Sequence, residues 1–309
     1  MSPLNAGRVL ETSRHAGRAL REQSLDVGQQ RFSLYVPGHA PPAGYALLVF
    51  VPPWNSATVP SGWKAPLDRH GMIYVSAANS GNAADVLDRR VPLALLAAWN
   101  IMQRYRVDPR RVYVGGLSGG SRVAERIALG YPDLFGGALL IAGSDPVGTA
   151  QLAVPPVDLF RRFQQGTKLV YLTGQNDPIN LELDARSRRS MHDFCVFHVA
   201  TVAEAWVGHE LPAARALERS LDRLDDPVQV EADRLARCRE GVDERLNARL
   251  QQVRNLLIAR KFAAARAQLN RVDSRYGGLA GPESLALASE IDAAGAMPRA
   301  KRSKRDGDH

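Results

Sequence analysis

The chain has 309 residues, 45% of them hydrophobic, and its 40 lysines and arginines outnumber 32 acidic residues for a formal net charge of +8. That length allows one large domain with an appendage or two smaller domains, and the apolar content is ample for a buried core. The longest uncharged apolar run, around 91–98, is far short of the roughly 20 residues of a spanning helix, and the arginines are spread as pairs without a nucleic-acid-binding module, so a membrane span and nucleic-acid binding are both excluded as expectations.

In chain order, residues 1–24 form an N-terminal extension that carries Arg8, Arg14, Arg18 and Arg21 but no apolar secretory stretch. As numbered, the chain reads as cytoplasmic; an upstream export signal would make it periplasmic or secreted. Strand-like runs recur at 31–36, 46–51, 71–76, 111–115, 138–142, 168–173 and 194–202, with helical stretches between most of the later ones. Leu47 to Val51 and Leu169 to Leu172 are continuously apolar, as strands covered on both faces of a parallel sheet are. The expected architecture over 25–226 is therefore α/β, a doubly wound and mostly parallel sheet. Residues 25–28 and 31–36 are expected to pair as an antiparallel hairpin leading into it.

After Asp226 and Pro227 the period changes. Leu235, Cys238, Val242, Leu246, Leu250, Val253 and Leu257 recur every three or four residues, which predicts a long amphipathic helix. Two further helices are expected at 261–272 and 282–291, separated by Gly277, Gly278, Gly281 and Pro282. This added helical C-terminal segment, 227–295, is expected to pack on the main domain, with self-association or a partner as the alternative. A basic tail at 296–309, with Lys301, Arg302, Lys304 and Arg305, reads as disordered. Cys195 and Cys238 read as two small buried hydrophobes, a disulfide between them being the minor alternative.

Chemistry concentrates at Gly116-Leu117-Ser118-Gly119-Gly120, which follows the run 111–115 and precedes a helical stretch at 122–129. A serine on a sharp strand-to-helix turn presents its hydroxyl, small neighbours let the backbones close up, and the helix start aims free N–H groups at a forming anion. Ser118 is the candidate nucleophile. It needs a base, and the base needs an acid to orient it. His192, His198, His209 and His309 follow Ser118. His209, in the loop after the last strand, is the candidate base, since sites in such sheets form on loops at the carboxyl ends of strands. Asp177, in Thr173-Gly174-Gln175-Asn176-Asp177-Pro178, is the candidate acid, with Asp145 in the preceding strand's loop as the alternative.

The stretch Tyr105-Arg106-Val107-Asp108-Pro109-Arg110-Arg111-Val112-Tyr113-Val114-Gly115-Gly116-Leu117-Ser118-Gly119-Gly120, followed by Gly130-Tyr131-Pro132-Asp133-Leu134-Phe135 and Ala142-Gly143, resembles the α/β-hydrolase superfamily. Within it, the chain is similar to the polyhydroxybutyrate depolymerase and feruloyl or acetylxylan esterase-like branch. That resemblance implies the same roles for Ser118, Asp177 and His209. One departure is visible: where the branch usually carries His-Gly in its oxyanion loop, this chain has Pro52-Pro53-Trp54-Asn55. Proline has no N–H, so the oxyanion hole is expected from Gly119 together with Trp54 or Asn55.

The function expected is a serine hydrolase cleaving carboxylic esters through an acyl-enzyme, with no metal or organic cofactor implied. A peptidase, or a binding protein on a decayed scaffold, are the alternatives. The segment 143–168 is short for a lid, so an open cleft for a small or polymer-linked ester is expected, with Trp54, Trp63 and Trp206 as its walls.

Overall fold

The computed structural model describes residues 25–229 and 231–296; the extension at 1–24 and the basic cluster from Lys301 onward lie outside them. Strands β1 (Phe32–Tyr35), β2 (Tyr45–Val51), β3 (Met72–Ala77), β4 (Val107–Leu117), β5 (Gly137–Ile141), β6 (Lys168–Gly174) and β7 (Val199–Glu204) form one sheet in the order β1-β3-β2-β4-β5-β6-β7. β1 runs antiparallel to β3, and the other neighbours are parallel.

The connecting helices are α1 (Lys64–Arg69), α2 (Val91–Arg104), α3 (Gly119–Gly130), α4 (Val157–Gly166), α5 (Pro178–Asp193) and α6 (Ala214–Asp225). Because successive side chains of a strand point to opposite faces, β2 feeds two cores. Leu47, Val49 and Val51 join Val123, Ile127 and Phe163 on one side, whereas Leu48 and Phe50 join Leu67, Leu217 and Leu221 on the other. Burial on both faces explains the unbroken apolar runs.

The C-terminal helices are α7 (Ala232–Ile258), α8 (Phe262–Tyr276) and α9 (Gly281–Ala296). The stripe Leu235, Val242, Leu246, Leu250 and Val253 shares one core with Leu269, Val272 and Ile291 and with Phe160 and Phe194 of the sheet domain. Polar contacts fix the docking. Arg239 donates from Nε to Gln164 (2.7 Å) and from Nη2 to the Arg161 carbonyl (2.9 Å), and the Gly278 N–H donates to the Val154 carbonyl at 2.8 Å.

Three expectations are corrected. Residues 25–28 make no hairpin strand: Val27–Gln29 is a 3₁₀ turn, and β1 finds its partner in β3 at the sheet edge. The run at 194–202 becomes a strand only from Val199, because Cys195 sits at φ 63° in a buried turn where its N–H bonds the His192 carbonyl at 3.0 Å. That turn, together with the docking of α7, brings Cys195 and Cys238 to a Cα separation of 5.8 Å, and they form a disulfide rather than two free thiols.

Candidate active site

Ser118 stands between β4 and α3 with φ 58° and ψ −121°. Few non-glycine residues adopt such a backbone; it costs on the order of 1–3 kcal/mol and persists only where the surroundings over-determine it. Here they do. The Ser118 N–H donates to the Ile141 carbonyl at 2.8 Å, and the Ser118 carbonyl accepts from Ser121 N–H at 3.0 Å. At Gly120 any Cβ would fall 2.0 Å from the Val51 carbonyl oxygen, so only glycine lets the end of β2 close on the elbow.

Asp177 caps α5, and its two carboxylate oxygens divide two tasks. Oδ1 accepts the Asn180 backbone N–H (3.3 Å) and so starts the helix; Oδ2 lies 2.7 Å from His209 Nδ1 and accepts the Asn180 side-chain amide at 2.7 Å. An ionised carboxylate only accepts, so this contact places an imidazole proton on Nδ1, and Nε2 has no partner among the described residues. Burial works against the charge on Asp177, but the hydrogen bonds from His209 and Asn180 outweigh it and hold its pKa below the ordinary carboxylate range. Asn180 is 8% exposed. Sequence reasoning missed it, although a polar residue three positions after a capping aspartate is a readable signal.

His209 is carried by a loop that β6 itself braces. The Asn176 N–H donates to the Val207 carbonyl (2.9 Å), and a Cβ on Gly174 would lie 2.2 Å from that same oxygen. Asp145 does not meet His209: its Oδ1 pairs with Arg122 Nε at 3.3 Å and its backbone N–H donates to Glu125 at 2.7 Å. Ser118 and His209 stand on the same carboxyl edge of the sheet; among the described residues no hydrogen bond joins them. Such bonds commonly tighten only when substrate arrives.

The loop after β2 runs against the elbow. Asn55 uses its carbonyl for Asn79 N–H (2.7 Å) and its side-chain oxygen for Gly81 N–H (3.2 Å). The Pro53 carbonyl accepts Asn82 N–H at 3.0 Å, which polarises the peptide whose N–H belongs to Trp54. Asn82 also lies over the first residue of α3, its Oδ1 only 2.3 Å from where a Cβ on Gly119 would sit.

The three tryptophans part company. Trp206, at φ 64°, is 89% exposed beside the His209 loop, and Trp54 is half-buried. Trp63 is corrected as a cleft wall: it is 1% exposed, packs edge-on to Phe50 (5.3 Å) and Tyr74 (6.1 Å), and donates from Nε1 to the Pro212 carbonyl at 3.1 Å. Its indole serves the core and anchors the segment ahead of α6.

A buried polar network joins the loop after β5 to β6, α3 and α5. Asp184 accepts from Ser144 and Thr173, each at 2.6 Å, and Glu125 accepts from Ser187 at 3.0 Å. Burial pushes the Glu125 carboxyl up to about 8.

The seven-stranded sheet, its helices and the strained strand-to-helix turn define the α/β-hydrolase fold, with an added helical C-terminal segment. One solved structure, at a TM-score of 0.50, bears this fold out. An S-formylglutathione hydrolase from Staphylococcus aureus is 11% identical, with 67% of this chain covering 97% of that one at a TM-score of 0.50. A thermostable esterase is 16% identical (57% of this chain, 51% of that one, TM-score 0.43), and a puromycin-hydrolyzing peptidase from Mycobacterium tuberculosis is 18% identical (65%, 37%, TM-score 0.44). This chain thus spans about half of that esterase and a little over a third of that peptidase. No family model and no curated protein matches the sequence. Among the described residues no helix is long and apolar enough to cross a membrane.

Proposed function

We propose that the protein is a serine hydrolase that cleaves carboxylic esters through an acyl-enzyme. The observation that carries this reading is the His209–Asp177 contact of 2.7 Å on the same edge of the sheet as the strained Ser118. His209 Nε2 takes the proton from the Ser118 hydroxyl as that oxygen attacks the carbonyl carbon, and returns it to the leaving alcohol. Water then repeats the sequence on the acyl-serine. Asp177 keeps the imidazole in the required tautomer, and Asn180 steadies Asp177. The oxyanion is received by the N–H groups of Gly119 and Trp54, Asn55 being the alternative donor.

The exposed Trp206 and half-buried Trp54 suit an apolar, bulky or polymer-linked acyl group in an open cleft, as in the polyhydroxybutyrate depolymerase-like esterases that the sequence resembles. The Cys195–Cys238 bond favours an oxidising compartment, periplasmic or extracellular, over the cytoplasm.

The test is a panel of p-nitrophenyl esters of rising acyl length beside peptide p-nitroanilides, with Ser118→Ala as control. Ester turnover that Ser118→Ala abolishes is expected. Turnover of the anilides alone would replace the reading with a peptidase, and no Ser118-dependent turnover on either series would leave a binding scaffold.

A further inference from the structure

Arg90 closes a π-helical turn, Val86–Arg90, ahead of α2 and is only 3% exposed. Its guanidinium points back to the elbow and donates to three backbone carbonyls: Nε to Ser80 at 2.9 Å, Nη2 to Pro52 at 3.0 Å and Nη1 to Gly119 at 3.4 Å. These oxygens belong to the loop after β3, the loop after β2 and the first turn of α3. Among the described residues it has no ion pair, and burial alone lowers its pKa. Burying a cation without a counter-charge is expensive, so its retention calls for a reason.

The double proline supplies one. Pro52 and Pro53 have no N–H with which to tie the loop to its neighbours, so carbonyls are the handles left to it. Arginine offers five donors in a rigid fork and no acceptor, which suits gathering carbonyls from three segments. An anion beside Gly119 would also find there the positive charge that the protein leaves uncompensated.

We propose that Arg90 is a positioning residue of the oxyanion hole: it clamps the Pro52 loop to the start of α3 so that the Trp54 and Gly119 N–H groups converge, and it supplies a fixed positive charge behind them. The proposal rests on the serine-hydrolase reading.

The test compares wild type, Arg90→Met and Arg90→Lys, each checked for fold by circular dichroism, on the best p-nitrophenyl ester. In Arg90→Met, kcat is expected to fall about 100-fold with KM within about threefold, and Arg90→Lys to recover about a tenth of the activity. Affinity for a trifluoromethyl ketone, which forms a tetrahedral anion on the serine, should fall by the same factor as kcat/KM. Affinity for the matching alcohol, which forms none, should not change. Equal losses for both ligands, or an active Arg90→Met, would overturn the assignment alone. A wild-type protein inert to ester and fluorophosphonate would overturn the hydrolase reading and the assignment with it. If Arg90→Met does not fold, Arg90→Lys carries the comparison; loss of fold in both overturns the assignment, since the cation then serves the fold.

Discussion

Two histidine–carboxylate pairs of nearly the same length sit at opposite ends of the sheet, His209–Asp177 at 2.7 Å and His70–Asp225 at 2.8 Å. At the amino end both ring nitrogens of the histidine face carboxylates. Asp225 also accepts from Arg111 Nε (2.9 Å) and the Tyr113 hydroxyl (2.9 Å), and His70 Nε2 faces Asp222 at 3.4 Å. At the carboxyl end the His209 side chain is 46% exposed against 11% for His70, and its Nε2 has no partner among the described residues. A histidine–aspartate contact is therefore no signature of a site. What separates the two is the unspent nitrogen and the strained serine on the same edge.

Exchanging the carboxylates should break that symmetry. Asp177→Asn is expected to lower kcat about 10³- to 10⁴-fold, because the imidazole then loses the acceptor that holds its tautomer. Asp225→Asn should leave kcat within about twofold and lower stability by about 2 kcal/mol, a figure discounted for partial exposure. Burial opposes the charge on Asp225, but hydrogen bonds from His70 and Arg111 win and hold its pKa well below the usual range. Its stabilisation is thus present above the ordinary carboxylate pKa and is lost as pH falls. Steady-state kinetics beside urea melts of both variants checks this; a reversal of the two phenotypes would contradict it.

The tryptophans sharpen the same contrast between core and cleft. Trp63→Ala should cost about 3–5 kcal/mol in a urea melt. Trp206→Ala should leave the melt unchanged and raise KM a few-fold for long acyl esters, an effect that short esters should not show.

A smaller effect lies in the buried polar network around Glu125. The Glu125 carboxyl, raised by burial from 4.5 to about 8, binds a proton in the folded protein that it releases in the unfolded chain. Its contribution to stability is full below pH 4.5 and disappears as pH rises through 8. Glu125→Gln should therefore flatten the fall in stability between pH 6 and 8 by about 2 kcal/mol. An identical pH profile in wild type and variant would mean that Glu125 is already ionised.

The elbow was legible because its chemistry is local: Gly116 to Gly120 encode the turn within five residues, and apolar runs on either side announce a buried strand and a helix. That Asp177 and His209 sit on loops at one edge of the sheet was legible through their place after strands. Tertiary placement hid the rest. Trp63 lies in a polar-looking loop whose burial depends on Phe50, Tyr74 and Pro212. Cys195 and Cys238 are 43 residues apart in sequence and meet only because α7 docks. The run from Phe194 to Phe197 is as apolar as a strand, and only the left-handed turn at Cys195 reveals that it is not one. Arg90 was one of many paired arginines, and only its three carbonyl partners distinguish it.

The most direct measurement is fluorophosphonate labelling of the purified protein, with peptide mapping and with Ser118→Ala and His209→Ala as controls. Modification at Ser118 that vanishes in the first control and slows at least about 1000-fold in the second is expected of a serine activated by His209. A well-folded wild-type protein that takes no label, or one labelled equally fast without His209, would contradict it.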